Sequence, residues 1–119
     1  MDWHIEPIPH FTLEETRCKC GCGLVVLQPA LLRALEQVRA EYDKPIVINS
    51  MVRCHAHNTT VGGVANSYHL NGRAVDIAPA RGGDLTHLAR ACTRLFPFTK
   101  RYDSFVHCDV RGERPYTTR

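Results

Sequence analysis

Apolar residues in the first half of the chain recur at helical spacing and predict an amphipathic helix. Leu31, Leu35, Val38 and Tyr42 follow one another at intervals of three and four residues, which places them on one helical face. Pro29 suits the first turn, where its missing N–H group has no intrahelical partner to lose. The pattern therefore predicts a helix from Pro29 to about Tyr42.

A second apolar stripe, after a pair of glycines, predicts another helix that begins behind Asp84 and ends before Pro97. Asp84 is a suitable N-cap because its carboxylate can accept hydrogen bonds from the first backbone N–H groups of the helix. One face of this helix carries Leu85, Leu88, Cys92 and Leu95. We expect that face, with the Cys92 thiol, to lie in the core.

Three short segments are typical of strands: residues 46–49, residues 73–78 and residues 102–110. Residues 50–68 are expected to form a loop. The order helix, strand, loop, strand, helix, strand predicts a compact α+β domain in which a small sheet packs with two main helices. The sheet is expected to be mainly antiparallel, because not every strand pair is joined by a helical crossover.

Both ends of the chain are predicted to be irregular. Residues 1–27 contain one candidate helical turn, in which Thr12 and Glu15 would form a capping box. Residues 111–119 form a polar tail. Since the chain shows no internal repeat and no linker, we expect residues 1–119 to be a single domain.

Composition narrows the function classes without naming one. The 119 residues are 44% apolar and 23% charged, as in ordinary globular proteins. The net charge of +3 is small and no run of lysine or arginine occurs, so a nucleic-acid partner is not expected. No segment is long and apolar enough to span a membrane, and the N-terminus does not resemble a signal peptide. We expect a monomer made in the cytoplasm.

Six cysteines in a chain without an export signal argue against a disulfide framework. Cys18, Cys20 and Cys22 alternate with other residues, unlike the CxxC pairs of zinc ribbons. Reduced thiols are the favoured interpretation. A second, structural metal held by some of Cys18, Cys20, Cys22 and Cys54 is an alternative, and a small interaction finger is another.

Two histidines and one aspartate have the residue types of a zinc site that is open for chemistry. His69 is expected on a loop, while Asp76 and His107 lie in predicted strands. A carboxylate in an apolar strand is costly to bury without a cation, so Asp76 requires a partner. Three protein ligands leave the fourth position of zinc for a water, whose pKa the metal lowers toward ~7.

Further residues are candidates for substrate contact. Arg53 follows a predicted strand, and an arginine there can clamp a carboxylate with two hydrogen bonds; a solvated arginine is the alternative. His55 and His57 are expected to lie at the surface or contact substrate rather than bind metal.

Asp109 lies two residues after His107, on the same face of the predicted strand. It is able to orient a ligand histidine, contact substrate or act as a base. An ion pair with Arg111 at the sheet edge is the remaining alternative.

Three segments together resemble the zinc D-Ala-D-Ala carboxypeptidase and L-Ala-D-Glu endopeptidase family, which shares its fold with the hedgehog signalling domain. They are residues 48–53, residues 58–76 and residues 105–111. The second contains the pattern SxHxxGxAxD, formed by Ser67, His69, Gly72, Ala74 and Asp76. The resemblance extends from about residue 11 to residue 111, and the opening, with its cysteines, is similar to phage or prophage members.

The resemblance implies a function for the site. It implies that His69, Asp76 and His107 bind a catalytic zinc ion, and that Arg53 holds a substrate carboxylate. It also implies that the substrate is a stem peptide of bacterial peptidoglycan, cut by carboxypeptidase or endopeptidase action. A phage or prophage product would reach the cell wall through a partner, which suits the missing signal peptide.

Two departures from the family pattern affect this interpretation. Residues 50–53 lack the glycine of the usual SGYR segment, although Arg53 is retained. Ser104 stands where many members have an acidic general base. Asp103 and Asp109 are the substitutes, and Asp103 is preferred because it shares strand parity with His107. The alternative is a zinc-stabilised binding module of the same fold that has lost catalysis.

Overall fold

The structure is a computed structural model, and it describes residues 10–26 and 28–111. Expectations for residues 1–9, position 27 and residues 112–119 lie outside the described part. The described elements are, in chain order, α1 (Leu13–Thr16), α2 (Pro29–Tyr42), β1 (Ile46–Ser50), α3 (His55–Thr60), a 3-10 turn (Tyr68–Asn71), β2 (Ala74–Pro79), α4 (Leu85–Leu95), β3 (Phe98–Arg101) and β4 (Val106–Asp109).

The four strands form one sheet in the order β1-β2-β4-β3, and every neighbouring pair is antiparallel. The prediction of an α+β fold with a small antiparallel sheet is therefore confirmed. One extra residue, Asn49, interrupts the pairing of β1 with β2, so that Ser50 rather than Asn49 lies opposite Asp76. This irregularity lies at the end of β1 from which the chain continues to Arg53.

The two predicted helices are confirmed, and they pack against each other and the sheet. α2 begins at Pro29 and ends at Tyr42, where Asp43 adopts a left-handed conformation with a φ of 60°. Asp84 caps α4 by accepting hydrogen bonds from the backbone N–H groups of Thr86 and His87. Their buried apolar faces meet in a single core cluster with residues of the sheet.

Alternation along the central strands separates this core from the opposite face of the sheet. Val75 and Ile77 of β2, and Val106 and Cys108 of β4, belong to the core cluster. Successive side chains of a strand point to opposite faces, so the residues between these positions are directed away from the helices. The polar residues of β2 and β4 thus gather on the face that the helices leave free.

The predicted last strand over residues 102–110 is wrong in its first half. Residues 98–109 form a hairpin, in which β3 precedes a turn and β4 follows it. The Tyr102 N–H group donates to the Phe105 carbonyl across the turn, at 2.8 Å, and the two rings stack. Asp103 and Ser104, residue types that favour turns, are exposed at its tip. Strand parity with His107 therefore does not apply to Asp103.

The predicted loop over residues 50–68 is also partly wrong, because it contains α3 and the beginning of the 3-10 turn. The sequence of α3 has no apolar stripe from which a helix could be predicted. Side-chain hydrogen bonds stabilise this helix instead. The Cys54 sulfur accepts from the His57 N–H group at its start. Buried Asn58 donates to the Val64 carbonyl at 2.8 Å and holds the following loop against the helix.

The capping box predicted near the N-terminus is confirmed. The Glu15 N–H group donates to the Thr12 hydroxyl at 3.2 Å, and the Thr12 N–H group donates to the Glu15 carboxylate at 2.7 Å.

Among the described residues, no helix is long and apolar enough to cross a membrane.

We expect the Asp84→Ala substitution to lower the free energy of unfolding by about 1 kcal/mol, because two N–H groups of α4 lose their acceptor. Urea denaturation of the purified protein measures this change. Asp84→Asn is the matched control, since asparagine caps a helix about as well and should retain most of the stability. Equal losses in both variants would contradict the capping role.

Candidate metal centre

The structure brings together the three ligands predicted from the sequence. Ligand atoms of His69, Asp76 and His107 all lie within 4.8 Å of one another. The Asp76 Oδ1 atom is 2.9 Å from His107 Nδ1 and 3.3 Å from His69 Nε2. Two imidazole nitrogens and a carboxylate oxygen therefore face a common point.

Pairing within the sheet explains two of these positions. Asp76 of β2 and His107 of β4 are direct partners in the antiparallel register. Paired residues of neighbouring strands point to the same face, so their side chains meet. On the β3 side, Lys100 is the partner of His107 and adds a positive charge at the same level of the sheet.

The third predicted ligand, His69, comes from the 3-10 turn that precedes β2. The Ser67 hydroxyl caps this turn by accepting from the His69 N–H group at 3.1 Å. Gly72 ends the turn with a φ of +74°, a conformation that residues with a Cβ rarely adopt. The turn thereby carries His69 to the free face of the sheet and returns the chain into β2.

The hydrogen bond at the far side of the His69 ring determines which nitrogen faces the site. Nδ1 of this buried histidine contacts the Met51 carbonyl oxygen, which can only accept a hydrogen bond. Nδ1 therefore carries the proton, and the lone pair of Nε2 points toward the Asp76 carboxylate. Two acceptors that face each other require a cation between them, and the centre therefore suits a metal ion.

His107 lies between two carboxylates. Its Nδ1 atom faces Asp76, and its Nε2 atom is 2.8 Å from Oδ2 of Asp109. Burial lowers the pKa of His107, but the hydrogen bonds with Asp76 and Asp109 outweigh it and raise the pKa above its ordinary value. Burial likewise raises the pKa of Asp76, and its close contacts with His107 and His69 overcome this effect and lower it to about 2.

Asp109 is fully buried, and both of its carboxylate oxygens are engaged by His107 and Arg111. It accepts three hydrogen bonds from Arg111, one from the backbone N–H group and two from the guanidinium, in addition to its contact with His107. Burial raises its pKa, and these bonds more than compensate and lower it. The predicted ion pair with Arg111 and the predicted contact with His107 are thus both present.

Arg53 lies beside the centre and is half-buried. Its backbone N–H group donates to the His69 carbonyl at 2.9 Å, and its Nη2 atom donates to the Ser67 hydroxyl at 3.2 Å. Burial lowers the pKa of Arg53, whereas the charge of Asp76 acts in the opposite direction. Its buried Nε–H group has no hydrogen-bond partner among the described residues, which leaves a donor for a ligand.

A cleft of about 310 Å³ adjoins His107, and the sequence did not predict most of its lining. Two cations, Lys100 and Arg111, lie among aromatic and polar side chains, and the Arg111 guanidinium stacks on the Phe98 ring at 3.6 Å. The full lining consists of Val64, Asn66, Ser67, Tyr68, Phe98, Lys100, Tyr102, His107 and Arg111. The lining residues that lie on β3 could not be assigned to the cleft from the sequence, because no strand was predicted there.

The other candidates lie elsewhere. Asp103 is exposed in the turn between β3 and β4, while His55 and His57 lie on α3 and belong to neither group of possible metal ligands among the described residues. Cys18, Cys20, Cys22 and Cys54 converge in a second group, separate from the three ligands.

Comparison with known proteins agrees with the donor set. Residues 9–109 match the family described as peptidase M15. The comparison with curated proteins gives no match. The family match extends over most of the chain and includes His69, Asp76 and His107, and peptidases of this family depend on zinc. The chain therefore belongs to the peptidase M15 family.

Proposed function

We propose that the protein is a zinc metallopeptidase that hydrolyses a peptide bond in the stem peptides of bacterial peptidoglycan. The observation that carries this proposal is the orientation of the two histidines. Each has its outer nitrogen bonded to a protein acceptor, Met51 or Asp109, and its inner nitrogen beside Asp76. Such outer contacts orient metal-binding histidines and make them better ligands.

His69, Asp76 and His107 would hold the zinc ion and leave one side of it open. When bound, zinc lowers the pKa of a water and polarises the carbonyl of the bond to be cut. The residues themselves supply a rigid frame. Asp76 and His107 are locked by strand pairing, and His69 is buried, so their separation changes little when substrate enters.

The positive charges around the centre favour a substrate that carries carboxylates, as stem peptides do. The Nε–H donor of Arg53, next to the predicted ligands, has no partner in the part of the chain that the structure describes, and Lys100 extends from β3 beside the cleft. A guanidinium can bind a carboxylate with two parallel hydrogen bonds. We therefore assign Arg53 to a substrate carboxylate, as the family resemblance implies.

The proton transfer is assigned to Asp103. Asp109 has its oxygens engaged by His107 and Arg111, which suits it to positioning His107 rather than to accepting a proton. Asp103 is exposed at the hairpin turn, four residues before His107, and its carboxylate is accessible to solvent. A base has to come within hydrogen-bond reach of the attacking water in the substrate complex.

A second function is favoured by one observation, the serine at position 104. Without an acidic residue at that position, and with Asp109 enclosed, the protein would keep zinc and bind wall peptides without cutting them. The two functions differ in whether fragments are released.

Digestion of purified peptidoglycan by the zinc-loaded protein, with and without chelator, tests the proposal by mass spectrometry of the released fragments. We expect fragments that disappear with chelator, and their masses identify the bond. A folded protein that holds zinc and sediments with the wall, yet releases no fragments, would contradict the peptidase and support the binding module.

His69→Ala is expected to abolish cleavage and to lower the zinc content by one ion per chain, because a buried ligand is lost. His10→Ala is the matched control, since His10 is exposed and paired with Glu36 at the surface. It should cleave like the wild type. Normal cleavage by His69→Ala would refute the assignment of the centre.

Asp109→Asn is expected to weaken zinc binding about 10–100-fold, because His107 loses the carboxylate that orients it. Wild-type zinc affinity should rise with pH through the raised pKa of His107, above the ordinary ~6.5, since the proton must leave before zinc binds. Removing the carboxylate lowers that pKa, so the midpoint in Asp109→Asn should move to lower pH. Competition with a chelator across pH measures both effects, and an unchanged midpoint would count against this role.

If Asp103 is the base, Asp103→Asn should lower kcat by about 10²–10⁴-fold while the zinc content stays unchanged. Ser104→Ala, in the same exposed turn, is the control and should retain kcat. Steady-state kinetics on an isolated stem peptide measures both variants. Retention of kcat in Asp103→Asn would exclude it as the base.

A further inference from the structure

The second group of possible metal ligands consists of Cys18, Cys20, Cys22 and Cys54, and we refer to it as the cysteine cluster. Its four sulfur atoms all lie within 4.8 Å of one another. The Cys18 and Cys20 sulfurs are 3.5 Å apart, and those of Cys20 and Cys54 are 3.7 Å apart. A tetrahedral site with Zn–S bonds of about 2.3 Å places its sulfurs about 3.8 Å apart. The observed spacing fits a metal site, and it is far too long for a disulfide bond of about 2.05 Å.

The backbone around the cluster is folded to collect alternate residues at one point. In an extended strand, Cys18 and Cys22 would lie roughly 13 Å apart, at about 3.3 Å per residue. Here Gly21 and Gly23 both have a φ of +89°, and the Cys18 N–H group donates to the Leu24 carbonyl at 2.9 Å. These contacts close a tight loop, which explains how a CxCxC spacing can serve one site.

Backbone donors point at two of the sulfurs. The Cys54 N–H group lies 3.4 Å from the Cys18 sulfur, and the His57 N–H group lies 3.3 Å from the Cys54 sulfur. Hydrogen bonds to a charged group favour its charged form, which for cysteine is the metal-binding thiolate. Cys18 is only 2% exposed, so its sulfur faces the cluster rather than solvent.

We propose that the cysteine cluster binds a second zinc ion in a closed, structural site formed by four thiolates. Four protein ligands leave no open position on the zinc ion, in contrast to the centre at His69, Asp76 and His107. This second site would therefore stabilise the fold and would not take part in catalysis. Tetrahedral sulfur ligation suits zinc. The proposal does not depend on the peptidase activity.

The position of Cys54 gives the second zinc a structural consequence. The Cys54 sulfur contacts the sulfur of Cys20, which lies 34 positions earlier in the chain. A metal ion shared by these two residues would tie the N-terminal segment to the rest of the fold. Cys54 directly follows Arg53, whose backbone N–H group bonds to the His69 carbonyl. Zinc in the cluster would therefore also fix the segment that carries the proposed substrate-binding arginine.

Elemental analysis of the full chain, reconstituted with zinc and freed of excess metal, tests the proposal. We expect two zinc ions per chain in the wild type and one in each of two double variants, Cys20→Ser/Cys54→Ser and His69→Ala/His107→Ala. Cys92→Ala, which removes a core thiol outside the cluster, is the matched control and should retain two.

Cobalt substitution identifies the ligands without altering the cluster. The His69→Ala/His107→Ala variant loaded with cobalt should show intense thiolate-to-cobalt charge-transfer absorption, which decides the question even if the cysteine variant does not fold. One zinc ion in the wild type and none in the histidine variant would overturn the proposal. An intact mass that reveals a disulfide within the cluster would overturn it as well. Neither result would bear on whether the protein cleaves peptidoglycan, which the digestion experiment measures separately.

Discussion

The contact between Asp76 and His107 is the interaction on which the site depends. It joins a carboxylate in the middle of β2 to an imidazole in the middle of β4, and both side chains are more than four-fifths buried. Burying a carboxylate is unfavourable unless a cation compensates it. Strand pairing brings the compensating groups within reach, and the low pKa of Asp76, about 2, reflects them. The same negative charge that makes Asp76 costly to bury suits it to bind a metal ion.

The rest of the fold holds this pair in place and surrounds it with cations. The helices cover one face of the sheet with a continuous apolar core, which leaves the other face for polar side chains. Met51 and Asp109 bind the outer nitrogens of the two histidines and fix their orientation. Arg111 in turn satisfies Asp109 and stacks on Phe98. The site is therefore organised in layers, from the three predicted ligands to the groups that orient them.

Two further carboxylates, Asp103 and Asp109, bear on whether the site has a general base. The hairpin turn places Asp103 in solvent, and the enclosure of Asp109 directs its charge toward His107 and Arg111. The two proposed functions, peptidase and binding module, therefore differ in the role given to Asp103 in this exposed turn. Cys54 of the cysteine cluster directly follows Arg53 in sequence, so the proposed structural metal and the proposed substrate contact share a segment of chain.

The sequence by itself determined the features that arise from local interactions. The apolar stripe from Leu31 to Tyr42 and the cap at Asp84 specify the two helices, because helical periodicity and capping involve residues a few positions apart. Asp76 could be predicted as a candidate metal ligand from the sequence because a carboxylate in an apolar strand needs a cation. Only the tertiary structure decided which nitrogen of His69 faces Asp76, that Asp109 is enclosed by Arg111, and that Cys54 contacts Cys18. These contacts join residues brought together by strand register, turns and loops, and the spacing of residue types along the chain carries no information about such orientation.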